Sequence, residues 1–346
     1  MTDNKLIIGV LGVGGIGIAH LKAAAECDNV AGVIACDTDA ELLAKREKEV
    51  KCLATYTDWK EVIARSDVDA VIVATPDQVH REMVVAALEA GKHVLCEKPF
   101  ALHKDDCRAM IECGRRTGKK LMVGQVCRLT PSFVLAKKLV DDGEIGELYF
   151  VESEYAHDYS EMPFHWRNDP VDKRHPVSGG GCHAVDLLRW IAGNPVEAYG
   201  YTNKKVLTTW PCDDSAIAVL KFPNDVMGKV YVSTGCKRPY TMRTCLYGTK
   251  GTIIVDNTSS HMSLFKEEFE GKDKLWGVPT KAIEFKIPVT VNNHNIRAEV
   301  FDFCDIVVND KEVVIKGEEG ASTIAVCEAI IKSAETGVPE KIEYNF

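Results

Sequence analysis

Nowhere among the 346 residues does an apolar run reach the roughly 18 positions that a membrane helix needs. The opening stretch, MTDNKLIIGVLGVGGIG, has no small-residue cleavage site, so no secretory leader is expected. None of the 13 cysteines stands in a CxxC pair and their spacing is irregular. That excludes the disulfide framework of a small secreted domain and points to reduced, mostly buried thiols in the cytoplasm. Positive charge is not in excess either. The formal net charge is -9, which argues against a nucleic-acid or membrane-surface partner, since both demand a basic face. Internal repeats and low-complexity linkers are absent.

What is present is a 46% apolar chain, long enough for two domains with sizeable cores. The first third alternates short apolar runs with amphipathic stretches. Strands are expected over 6–11, 30–36, 70–74, 93–96 and 121–123. Helices are expected over 15–27, 39–50, 78–90 and 103–117. Continuous apolar strands alternating with helices imply a parallel sheet covered on both faces. After about Gln125 the texture changes. A helix over 131–141 precedes longer strands with period-two alternation over 148–155, 215–222, 226–233, 243–247 and 252–255. Pro223-Asn224-Asp225 is a hairpin signal between two of them. Helices over 296–308 and 321–335 close the chain. The expected organisation is a first domain over 1–124 and a second, α+β, over 125–346. A long loop is expected over 157–181, where Gly, His and Pro concentrate; loops of that length are usually functional.

Gly12-Val13-Gly14-Gly15-Ile16-Gly17 fits GxGxxG between an expected strand and an expected helix. Gly12 allows the tight turn, Gly14 a close approach to pyrophosphate, and Gly17 close packing of helix on sheet. The helix N-terminus would face the phosphates, with the N–H groups of Gly15 and Ile16 among the donors. Asp37 ends the next strand about 20 residues on, the position from which a carboxylate holds the adenosine ribose. With no Arg directly after it to neutralise a 2′-phosphate, NAD is favoured over NADP.

Further motifs lie downstream: Ala74-Thr75-Pro76, His80, the run Ala90-Gly91-Lys92-His93-Val94-Leu95-Cys96-Glu97-Lys98-Pro99, and Gly143-Glu144-Ile145-Gly146. They continue with Trp166-Arg167, Gly179-Gly180-Gly181, the pair His183 and Asp186, Gly248-Thr249-Lys250-Gly251-Thr252, and Ser333-Ala334-Glu335-Thr336-Gly337. In this combination the chain resembles the glucose-fructose oxidoreductase / inositol dehydrogenase / rhizopine-catabolism family over essentially its whole length. The resemblance implies an α/β N-terminal Rossmann domain and an α+β C-terminal domain with an open, predominantly antiparallel sheet. It implies a homodimer or homotetramer assembled through that sheet. It also implies NAD contacts from Thr75, Pro76, His80, Glu97, Lys98 and Gln125, and a cis Lys98–Pro99 bond.

Oxidising a secondary alcohol requires a group that takes the hydroxyl proton and tolerates the developing alkoxide. The resemblance assigns this work to Lys98 and His183, with Glu97 holding the ribose or orienting the lysine. Asp186, three residues beyond His183 on one helix face, could orient the imidazole or pair with Arg189. Arg128, Tyr155, His157, Trp166, Arg167 and His175 are candidate substrate contacts. The chain departs from the family at Gly179, where many members carry an Asp; Asp172, His175 and His157 are candidates to compensate. The histidines and Cys182 of this segment match no standard zinc spacing, so no metal is expected. The implied activity is hydride transfer between nicotinamide and a hydroxyl of a sugar, sugar derivative or cyclitol. Two alternatives share the motifs: glycoside cleavage by transient oxidation and elimination, and a non-catalytic NAD-binding regulator.

Overall fold

The computed structural model describes residues 5–162, 165–171, 173–269, 282–291 and 294–346. Asp172, one of the candidates above, lies outside the described residues. By close contacts the chain divides into two units: 1–126 with 295–325 and 344–346, and 127–294 with 326–343.

The first unit follows the alternation of its sequence. Its strands and helices are β1 (Leu6–Leu11), α1 (Gly17–Glu26), β2 (Val30–Cys36), α2 (Ala40–Glu49), β3 (Ala54–Tyr56), α3 (Trp59–Ala64), β4 (Ala70–Val73), α4 (His80–Glu89), β5 (His93–Glu97), α5 (Lys104–Thr117) and β6 (Leu121–Gly124). All five strand pairings are parallel, in the order β3-β2-β1-β4-β5-β6. Strands β4 and β6 are buried at every residue, which is why their sequences run apolar without alternation. The helix ends are chemically marked. Asp39 accepts the N–H groups of Glu41 and Leu42 at the start of α2, and Gly118, at φ 67°, closes α5.

The second unit contains α6 (Pro131–Asp141), β7 (Leu148–Ala156), α7 (Pro176–Gly179), α8 (Cys182–Ala192), β8 (Glu197–Asn203), β9 (Ser215–Lys221), β10 (Met227–Ser233), β11 (Thr241–Gly248), β12 (Gly251–Asp256), β13 (His261–Phe269) and β14 (Ala282–Pro288). The chain then returns to the first unit with α9 (Ile296–Val308). It leaves again within α10 (Gly317–Thr336) and adds β15 (Glu340–Lys341) to the second. The nine-stranded sheet has the order β14-β13-β12-β11-β7-β10-β9-β8-β15. Its pairings are antiparallel apart from β7 with β10. Along β9, Ala216, Ala218 and Leu220 are buried while Ile217, Val219 and Lys221 are exposed. One face of the sheet is therefore packed and the other open.

Three expectations shift. The single cut after residue 124 misses the return of α9: its Asn295 cap opens a helix whose Ile296, Val300 and Phe303 are buried in the first unit. The segment 157–181 is not one loop. It holds a 3₁₀ turn at His165–Asn168 and the short helix α7. The 78–90 helix begins as a 3₁₀ turn, Asp77–Val79, before α4.

Candidate active site

The glycine loop of the first unit is built as its residue types require. Gly12 sits at φ +83°, and a Cβ there would lie 2.7 Å from the Ala74 carbonyl oxygen. A Cβ on Gly17 would lie 1.9 Å from the Gly12 oxygen. Both glycines are demanded by the fold. A Cβ on Gly14 would meet nothing within 4 Å, so the fold itself does not demand a glycine there. Helix α1 has Ile16 as its N-cap, with no side-chain cap and no acidic residue in its first turn, an end suited to an anion; Gly15 and Ile16 are exposed beside it. Asp37 stands at the end of β2. Its Oδ2 accepts the Val13 N–H at 2.9 Å and its Oδ1 the Asp39 N–H at 3.1 Å. The carboxylate thus also braces the loop it serves. Arg46 Nε donates to the Val13 carbonyl at 2.9 Å from the other side; its part in holding the loop was not foreseen.

The second motif of this unit is the turn after β5. The Lys98–Pro99 bond is cis. Glu97 folds back on its own chain: Oε2 accepts the Lys98 N–H at 2.9 Å, and Oε1 is 2.8 Å from His20 Nε2. Glu97 is 4 % exposed, and Lys98 is half-buried. Glu97 thus holds the backbone of Lys98. His80 is taken up differently from what was expected. Its Nε2 is 3.1 Å from the Thr75 carbonyl oxygen, and its Nδ1 is 3.1 and 3.3 Å from those of Pro99 and Phe100. It is a buried brace joining the Thr75-Pro76 corner to the Lys98-Pro99 turn. Thr75 Oγ1 meets Met83 Sδ at 3.5 Å. Gln125 is buried, and its Oε1 has no hydrogen-bond partner among the described residues.

The second unit gathers rings. The Tyr155 hydroxyl is 2.8 Å from that of Tyr159 and 3.3 Å from His157 Nδ1. The Tyr155 and His183 rings stack at 6.3 Å, His183 and His294 lie 5.3 Å apart, and Tyr240 stacks on His294 at 5.9 Å. Burial pushes the Tyr155 phenol well up, and Tyr240 likewise, so both stay neutral. His183 Nδ1 faces the Cys127 thiol at 3.3 Å. Asp186 takes the pairing reading in enlarged form. Arg128 grips it bidentately at 2.9 and 2.7 Å, and Arg189 approaches to 3.5 Å. Arg128, a candidate substrate contact, takes part in a buried ion pair. Trp166 lies between two guanidiniums, with Arg167 at 4.7 Å and Arg174 at 5.1 Å from its ring centre.

At Gly179, where the resemblance places an Asp, a Cβ would meet the Arg174 guanidinium at 2.1 Å, so an Asp would have to displace that side chain. Arg174, which also donates to the Gly179 carbonyl at 3.0 Å, fills that place. A Cβ on Gly180 would meet the Tyr155 ring at 2.4 Å, so this glycine lets the start of α8 close on β7. The His175 Nδ1 accepts the Val177 N–H at 3.2 Å and caps α7. Burial pushes its imidazole down to about 4. Cys127, Tyr159, Arg174, Tyr240 and His294 were missed, since none carries a spacing signal. His20 had one, lying three residues beyond Gly17 on the same face of α1.

Residues 6–125 match the family described as "Oxidoreductase family, NAD-binding Rossmann fold", and 133–254 match the GFO/IDH/MocA C-terminal domain. Inositol 2-dehydrogenase 2 of Saccharopolyspora erythraea is 31% identical over 73% of each chain. The chain belongs to the GFO/IDH/MocA family. It is an oxidoreductase, and its first unit is an NAD-binding Rossmann fold. Levoglucosan dehydrogenase of Pseudarthrobacter phenanthrenivorans is 25% identical over 96% of both chains. A solved levoglucosan dehydrogenase in complex with NADH superposes with a TM-score of 0.89 at 21% identity, covering 98% of this chain and 99% of that one. That last likeness is one of fold.

Proposed function

We propose that this oxidoreductase moves a hydride between NAD and a secondary hydroxyl or ketone of a sugar, sugar derivative or cyclitol, with Lys98 and His183 handling the proton. The observation that carries the reading is the Glu97–Lys98 turn, in which a buried carboxylate fixes the peptide of the lysine. The inositol and levoglucosan dehydrogenases among its relatives support the substrate class. NAD, when bound, supplies the hydride acceptor. Gly12, Gly14 and Gly17 with Asp37 would hold its phosphates and ribose. Lys98 would accept the hydroxyl proton or stabilise the alkoxide as an ammonium. His183, with an imidazole's near-neutral intrinsic pKa, is suited to share that proton. The phenols and imidazoles of Tyr155, His157, Tyr240 and His294 offer donors and acceptors on apolar rings, a surface suited to a hydroxyl-rich ligand. We also infer a homo-oligomer formed through the open face of the nine-stranded sheet.

The test is to incubate the protein with NAD and a panel of sugars, inositols and glycosides, following NADH absorbance and product release together. NADH formation with a sugar or cyclitol is expected. Lys98→Ala should lower turnover by roughly 10²–10⁴-fold while NAD affinity stays. Product release without NADH would instead mean redox-neutral cleavage, and full turnover in Lys98→Ala would refute the assigned role.

A further inference from the structure

The first unit buries three ionisable side chains together at the Glu97–Lys98 turn. His20 on α1, Glu97 at the end of β5 and Glu299 on α9 are 0, 4 and 0 % exposed. Their nitrogen and oxygen atoms converge to within 4.8 Å of one another. Glu97 is hydrogen-bonded through both oxygens, to His20 and to the Lys98 N–H. Glu299 differs. Both of its oxygens are buried without a hydrogen-bond partner among the described residues. It interrupts the apolar stripe Ile296, Val300 and Phe303 of its helix, all buried.

Two carboxyl groups this close and this dry do not both ionise, and the proton stays on the one whose charge is worse supported. Glu97 has a backbone donor and an imidazole beside it. Glu299 has neither. Burial drives the Glu299 carboxyl well above the usual carboxylate range, and the charge of Glu97 adds to the push. Lys98 opposes it and Asp302, on the same helix, reinforces it.

We propose that Glu299 is a positioning residue for Lys98: a neutral acid that turns its O–H dipole towards Glu97 and leaves Glu97 the single ionised carboxylate of the pocket. That one charge holds the Lys98 peptide. The proposal rests on the reading of Lys98 as the proton-handling group. A cation on the same three residues is the rival arrangement; it would have to break the bond between His20 and Glu97.

Infrared difference spectra of the full-length protein at neutral pH, wild type against Glu299→Gln, test the protonation state directly. A protonated, buried carboxyl band that Glu299→Gln removes is expected; its absence overturns the proposal. Glu299→Leu, which has no donor, should lower kcat roughly 10- to 100-fold with little change in NAD affinity, and should displace the pH profile. Glu299→Gln, neutral and still a donor, should recover most of that loss. Equal activity in the two variants would reduce Glu299 to packing and refute a positioning role. Stoichiometric metal in the purified protein, lost in Glu299→Gln, would overturn it in favour of the cation site. If Lys98→Ala retains turnover, the reading of Lys98 falls and this role with it, although the infrared band persists. If Lys98→Ala is inactive and the band is missing, the assignment of Glu299 alone fails.

Discussion

Single residues show the division between what the fold demands and what a ligand demands. Gly17 and Gly14 belong to one motif but differ in surroundings. Gly17→Ala would drive a Cβ to 1.9 Å from a carbonyl oxygen, so loss of folding or a sharply lower melting temperature is expected. Gly14→Ala would meet nothing within 4 Å, so its melting curve without NAD should match that of the parent protein. Its NAD affinity should fall by at least about tenfold, near 1.4 kcal/mol, measured by calorimetry; unchanged affinity would refute the reading of Gly14. The buried Arg128–Asp186 pair is a different case, an ion pair within the second unit. Asp186→Ala leaves a guanidinium buried without its charge partner and should cost about 3–5 kcal/mol in denaturant melts. Much of this scale was legible beforehand, because GxGxxG, Asp37 and Glu97-Lys98-Pro99 are local in sequence. Arg174 against Gly179, Cys127 against His183 and Glu299 against Glu97 were not, since these partners meet only through tertiary structure. Glu299 alone left a trace, as an acid on an otherwise apolar helix face.

Among the elements, those with a long hydrophobic period were the readable ones. The 131–141 and 296–308 helices stand where the sequence put them, one opening on Pro131 and the other on the Asn295 cap. The strands β3, β8, β13, β14 and β15 were not foreseen. β3 has three residues and β15 two, too few for any period to show. The helix α7 was hidden for a different reason: its cap is an imidazole. His175 Nδ1 must be unprotonated to accept the Val177 N–H. Its folded pKa, about 4, lies below the ordinary 6.5. Between those values the unfolded chain binds the extra proton and the folded chain does not, so stability falls as pH drops from about 6.5 towards 4 and levels off below that. His175→Asn, which keeps a capping oxygen that does not titrate, should flatten this part of the stability-versus-pH curve. An unaltered curve would show that the cap is not what acid removes.

At the level of the whole molecule, ten of the thirteen cysteines are buried and all thirteen are free, which agrees with the expectation of reduced, core-packed thiols. Among the described residues no helix is long and apolar enough to cross a membrane. The open face of the large sheet carries Tyr201, Ile217, Val219 and Met227 at 62, 47, 56 and 60 % exposure on three adjacent strands, the surface on which the proposed homo-oligomer rests. On the proposed homo-oligomer, Ile217→Asp combined with Val219→Lys should shift the mass measured by light scattering from a multiple of one chain to one chain without changing the strand content; a parent of single-chain mass, or an unchanged multiple, would refute assembly through this face. The return of α9 bears on how the protein is made. A ribosome that has delivered all six strands of the parallel sheet has not yet delivered Glu299, Val300 or Phe303, nor Ile315, whose carbonyl accepts the Val123 N–H at 3.0 Å. The nascent nucleotide-binding unit must therefore wait, with those surfaces unsealed, through the synthesis of nearly the entire second unit.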